Sequence, residues 1–90
     1  MMPIAKIVLD VLKPRELPLT GLVERLCQLE GIEAVSADVL EVDAMTETLK
    51  LTVEGSAVDV ERVVKELDSM GCALRSVDSV TARSLKAGKR

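Results

Sequence analysis

Two hydrophobic periods take turns along this chain, and their order leaves few folds open. Ile7, Leu9 and Val11 stand at every second position, with Val8 and Asp10 between them. That is the pattern of a half-buried strand, running to Leu12 and stopped by Pro14. Beyond a short loop bracketed by Pro14 and Pro18, Thr20 is placed to cap a helix with Leu22, Val23, Leu26 and Leu29 on its apolar face. Gly31 ends it. Period two returns from Ile32 to Asp43, but Val35, Ala37 and Val39 are in one phase and Leu40 and Val42 in the other, a slip that requires a bulge. The polar run Asp43 to Glu47 makes a hairpin connection, although it lacks the Asn-Gly or Asp-Gly signal of a two-residue turn. Leu49, Leu51 and Val53, interleaved with Lys50 and Thr52, form the cleanest strand, closed by Gly55. A second helix starts at Ser56 or at Asp59, shows Val60, Val63, Val64, Leu67 and Met70 on one face, and stops at Gly71. The last strand begins at Cys72, with Leu74 and Val77 again out of phase.

The order strand-helix-strand-strand-helix-strand is the split βαβ arrangement of a ferredoxin-like α+β sandwich, with an antiparallel sheet ordered 4-1-3-2 and both helices on one face. The second and fourth strands are then the edges, and they are the strands with phase slips, as expected where bulges concentrate. The second strand, at about 12 residues, would span roughly 40 Å and overhang its partner. Residues 1–82 form the domain, and 83–90 read as a flexible tail in which Arg83, Lys86, Lys89 and Arg90 carry four positive charges.

Composition narrows the function. Ninety residues suffice for one domain with a single modest core, burying roughly 64% of the unfolded surface, and such a core gains from self-association. The chain has no His, Phe, Trp or Tyr, which removes imidazole chemistry, His metal ligands and every aromatic platform for stacking bases. Net charge is −3, and with the tail set aside eight basic residues face fifteen acidic ones, so nucleic acid is not an expected partner. No apolar run exceeds three residues, which excludes a transmembrane helix or a signal-peptide core and leads to the expectation of a cytoplasmic protein. There Cys27 and Cys72 should be free thiols, buried as small hydrophobes. No nucleophile is spaced to meet a base and no glycine loop cradles phosphate, so catalysis is not expected.

Two features invite binding. In this topology Asp10, Glu41, Asp43 and Glu47 should gather at one rim of the sheet, an oxygen-only cluster suited to Ca²⁺ or Mg²⁺. The edge strand from Ile32 to Leu40 holds only Glu33 and Asp38 as blocking charges, so Ile32, Val35, Val39 and Leu40 mark an edge open to another copy of the chain.

Three stretches carry a resemblance that covers most of residues 4 to 83: Ile7 to Pro14, Glu41-Val42-Asp43 followed by Thr46 to Lys50, and Ser76-Val77-Asp78-Ser79-Val80. In these the chain resembles a small, mostly archaeal family known as domain of unknown function 211. The resemblance implies a ferredoxin-like subunit of a closed homo-oligomer, with no established activity. It also implies metal ions at acidic positions, which here match Asp10, Asp43 and Glu47, with Asp78 as a further acid. The chain departs from the family in having Arg15, Ser79 and Ala82 where members commonly have His, an acid and Gly. The expected function is therefore a non-catalytic homo-oligomer that binds a divalent cation or a small ligand at an acidic rim or subunit interface. The alternative is a regulatory domain of the amino-acid-binding ACT type, whose first loop and helix the segment from Pro18 through Gly21 to Ile32 resembles; that loop usually carries an Asp and a Pro-Gly step, and here Leu19 and Thr20 separate Pro18 from Gly21. A heavy-metal-associated domain has the same element order and a similar entry at Gly31 to Val35, but needs a Cys pair where Pro14 to Leu19 has none.

Overall fold

The computed structural model describes residues 3–84, in the order β1 (Ile4–Pro14), α1 (Leu19–Cys27), β2 (Ile32–Val42), β3 (Thr46–Gly55), α2 (Val60–Ser69) and β4 (Ala73–Ala82). Every strand pair is antiparallel and the sheet runs β2-β3-β1-β4, so the fold is the ferredoxin-like α+β sandwich. Because side chains alternate across a strand, Ala5, Ile7, Leu9, Val11 and Lys13 of β1 share one face, all of them buried. Opposite them on β3 stand Val53, Leu51 and Leu49. Leu22 and Leu26 of α1 and Val63 and Leu67 of α2 pack into the same cluster, which places both helices on that face.

Gly71 follows the C-cap Met70 and ends α2 as the sequence implies, whereas α1 stops earlier than expected, at Cys27 with Gln28 as its cap, and Gly31 lies in the turn into β2. Gly31 and Gly71 take φ of 87° and 82°, the left-handed region that side chains rarely tolerate. Asp59 caps α2, its carboxylate accepting the Arg62 N–H. The start of α1 differs from expectation, because Pro18 rather than Thr20 holds the cap position and no side chain caps the helix. Pro18 supplies its carbonyl to the Leu22 N–H, and Thr20 lies inside the first turn. β1 also runs further than expected: Pro14 is its last residue, opposite Thr46, where its missing N–H costs little. β2 has eleven residues and β3 ten, paired from Ile32 with Gly55 to Val42 with Glu47, so the expected overhang is absent.

One register shift leaves Ala5 of β1 unpaired; the others fall on the edge strands. The register of β2 on β3 slips between Val39 and Glu41, leaving Leu40 as the extra residue. That of β4 on β1 slips at Asp78, between the pairs Leu9–Val77 and Val8–Ser79, and again at Arg75. Helix length completes the picture. At 1.5 Å per residue the nine and ten residues of α1 and α2 reach about 14 and 15 Å, whereas strands of ten or eleven residues reach about 34 to 37 Å. α1 packs against β2 and α2 against β4, and each is too short to cover the full length of its strand.

Cys72 is buried as expected, but Cys27, the last residue of α1, is exposed. Of the tail, the Arg83 N–H donates to the Pro3 carbonyl at 3.0 Å, and residues 85–90 lie outside the described residues. Among the described residues no helix is long and apolar enough to cross a membrane.

Candidate functional site

Of the five acids singled out from the sequence, Glu41 lies on the edge strand β2 opposite Thr48, and the other four occupy three different settings. Asp10 is not at the rim: it lies four residues inside the end of β1, on the sheet face away from the helices, opposite Lys50 on β3 and Ser76 on β4. Lys50 in turn stands opposite Asp38 on β2, which makes a row of alternating charge across that face. One oxygen of Asp10, Oδ1, is buried without a hydrogen-bond partner. Asp78 sits in the β4 bulge, where the Ser76 hydroxyl donates to its Oδ1 at 2.7 Å. Asp43 and Glu47 flank the β2–β3 turn. The Asp43 N–H donates to the Thr46 carbonyl and the Arg15 guanidinium reaches the Asp43 carbonyl, so the turn is held chiefly through its backbone.

Glu47 already has a cation. Lys13 follows Ile7, Leu9 and Val11 on the core face and is 1% exposed, and its ammonium lies 3.1 Å from Glu47 Oε1. The same ammonium donates to the carbonyls of Pro14 and Leu17, so all three of its donors are used, as burial of a charge demands. The group ties the loop after β1 to the start of β3. Lys13 also acts on Cys72, whose thiol is pushed above its ordinary value by burial, an effect the lysine's charge partly offsets. No group of three or more acids or thiols among the described residues could hold a metal ion. Six to eight oxygens, the usual Ca²⁺ complement, are not gathered by one copy of these four side chains.

The edges present a more consistent picture. Six large apolar side chains are exposed among the described residues: Val39, Leu40 and Val42 of β2, Met45 in the turn that follows, and Val77 and Val80 of β4. Of the edge residues expected from the sequence, Val39 and Leu40 are in this set. Ile32 and Val35 turn inward, half-buried against the core. In the sequence Val42 and Val77 show only as residues out of phase, and neither Met45 nor Val80 is marked there as an edge residue, although the spacing of Val77 and Val80 around Asp78 can be read from it. The bulges explain the arrangement. Val39 and Val42 both lie on the helix face, opposite Leu49 and Glu47, and so do Val77 and Val80, opposite Leu9 and Ile7. The short helices do not reach them.

Two open clefts lie elsewhere, one of about 380 Å³ lined by Glu30, Gly31, Ser56, Ala57, Asp59 and Arg62, the other of about 370 Å³ between Arg15, Glu16, Ala44 and Met45. Neither is an enclosed apolar pocket of the kind that holds a cofactor.

The chain is also similar in sequence to known proteins. The chain is 38% identical over 79 residues to the uncharacterized protein MJ0319 of Methanocaldococcus jannaschii, an alignment covering 88% of this chain and 81% of that protein. Residues 5–85 match the family model DUF211, described as uncharacterized ArCR, a span that takes in both helices and every strand residue but Ile4. The chain therefore belongs to the DUF211 family.

Proposed function

We propose that this chain is a non-catalytic, cytoplasmic subunit of a homo-oligomer, in which exposed sheet edges join neighbouring copies and a divalent cation, Ca²⁺ or Mg²⁺, or a small ligand is held at acidic positions near a subunit interface. The observation that carries this reading is the placement of the exposed apolar side chains: all six belong to the two edge strands or the turn after β2. Edge strands are where a second chain adds most readily, and here they have apolar flanks instead of the lysines and prolines that block such addition. The orphaned Asp10 oxygen supports a ligand on the open sheet face, since a buried acceptor left unpaired costs free energy that a cation or donor would recover. Since one copy does not assemble the four acids, the reading requires a second copy to complete any cation site. Against catalysis stand the lack of His and the engagement of the buried ammonium of Lys13 in structural contacts. Nucleic acid is not among the proposed partners.

Native mass spectrometry of the untagged protein, with Ca²⁺ or Mg²⁺ and then with chelator, tests this directly. The expected result is one discrete oligomer carrying cations that the chelator removes. A monomer indifferent to metal would overturn both halves of the reading and turn attention to small ligands such as amino acids.

A further inference from the structure

We infer that copies of this chain join head to tail, β2 of one against β4 of the next, in the antiparallel register that sets Val39 opposite Val80 and Val42 opposite Val77 of the neighbouring copy. The inference rests on the oligomeric reading above and specifies its contact. Three observations carry it.

The first is strand sense. Since β2, β3, β1 and β4 alternate in direction across the sheet, β2 and β4 run oppositely. A neighbouring copy brought alongside without being turned over therefore lays its β4 antiparallel to this β2, and the sheet continues with its helices on the same side. The second is spacing. A bulge in each edge strand puts two valines three residues apart on the helix face, Val39 and Val42 around Leu40, and Val77 and Val80 around Asp78. In antiparallel pairing one register satisfies both pairs at once, because two residues separate the valines on either strand. The valines are 41 to 55% exposed in the single chain, and each pair would cover the other.

The third is charge. From Ile32 to Asp43 the β2 edge carries Glu33, Asp38, Glu41 and Asp43 and no basic residue. From Ala73 to Arg83 the β4 edge carries Arg75 and Arg83 against Asp78 alone. Two β2 edges facing each other would oppose four acids with four, whereas β4 brings a net charge of +1 to the four acids of β2, although within this register Glu41 meets Asp78 and no acid stands directly opposite an arginine. A two-fold contact between β4 edges is not opposed by charge, but it leaves Val39, Leu40 and Val42 bare in every copy. A head-to-tail contact that closes into a ring covers the exposed valines of both edges in all of them.

Blocking one edge at a time separates these arrangements. Val42→Lys disables the β2 edge and Val80→Lys the β4 edge; both positions are more than half exposed, so the fold should survive, as far-UV circular dichroism would show. By native mass spectrometry each variant alone should lose the oligomer and run as monomer, and an equimolar mixture should regain a one-to-one heterodimer through the two intact edges. An oligomer that survives one block but not the other means a two-fold contact between like edges and overturns the inference. An oligomer that survives both blocks places the contact on the open sheet face, which overturns it equally while leaving the oligomeric reading intact. A wild-type monomer removes that reading itself. Register is read separately, in a Cys27→Ser background that removes the exposed thiol. Val39→Cys with Val80→Cys in one chain should give a ladder of cross-linked species on oxidation, where Val39→Cys alone gives none; cross-linking by the single variant would overturn the register.

Discussion

Lys13 shows how much one residue can do in a small core. Its ammonium is buried and satisfied by two carbonyls and Glu47, so Lys13→Met would leave those acceptors unpaired while gaining little apolar contact. Glu47 is 20% exposed and water recovers part of the loss, so the expected destabilisation is about 2 kcal/mol, read as a lower urea midpoint by circular dichroism. The lysine's role is legible in hindsight, since it continues the period of Ile7, Leu9 and Val11. It was missed because a charge at a strand end ordinarily reads as a solvated stop. The two thiols make a second pair of predictions. Cys27 should react with a thiol reagent in the native protein and Cys72 only on unfolding. Burial raises the folded thiol of Cys72 above its ordinary value. The unfolded chain therefore releases its proton first as pH climbs, and the number of protons bound is larger in the native state. The thiol's contribution to stability is complete below the unfolded value, near pH 8.5, and is lost as pH rises through the folded one. Denaturation midpoints measured from pH 7 upward should fall above that point in the wild type and less so in Cys72→Ala, compared with its own value at pH 7.

At the scale of elements, much of the fold could be read from periodicity because each strand and helix shows its apolar face to one common layer. The slips in phase on the two edge strands were visible as misplaced valines and leucines, and the bulges at Leu40 and Asp78 are their structural form. What periodicity could not supply was reach. Nothing in the spacing of Leu22 and Leu26 or of Val63 and Leu67 says that the helices stop short of Val42 and Val80, because coverage depends on how two cylinders sit on a longer sheet. The expected rim of acids failed to form around Asp10 for a related reason: the strand continued through Pro14, two residues past its expected end at Leu12, which leaves Asp10 four residues inside it. Connections are more exacting than the elements they join. At Gly31 a methyl group would meet the Ala57 carbonyl, at Gly55 the Gly31 carbonyl, and Gly31 has positive φ besides. Gly31→Ala should therefore cost about 2 kcal/mol or more, well beyond the effect of the same change at Gly21, where the nearest atom is 4.0 Å away. Thermal midpoints of the two variants, followed by circular dichroism, check this.

For the whole molecule, the proposed assembly would also bear on stability, since it would cover apolar side chains that the single chain leaves exposed. The proposed register also sets Glu41 opposite Asp78 of the next copy, a like-charged pair across a strand contact. Asp78→Asn should then tighten association by a few-fold at low salt, and by less at high salt, in sedimentation or native mass measurements. No tightening would argue for a different alignment of the edges. The hydrogen bond from Arg83 to Pro3 has a consequence of another kind. It brings the start of the first strand and the end of the last within one backbone bond of each other, so the chain is nearly a loop already. Joining those ends by a short glycine-serine bridge and opening the chain at Ala44 should give a rewired protein with the same sheet, core and melting behaviour. In that molecule the order in which strands are made would change while the β4 edge offered to a neighbour would not. Where the chain begins is then incidental to the shape it presents.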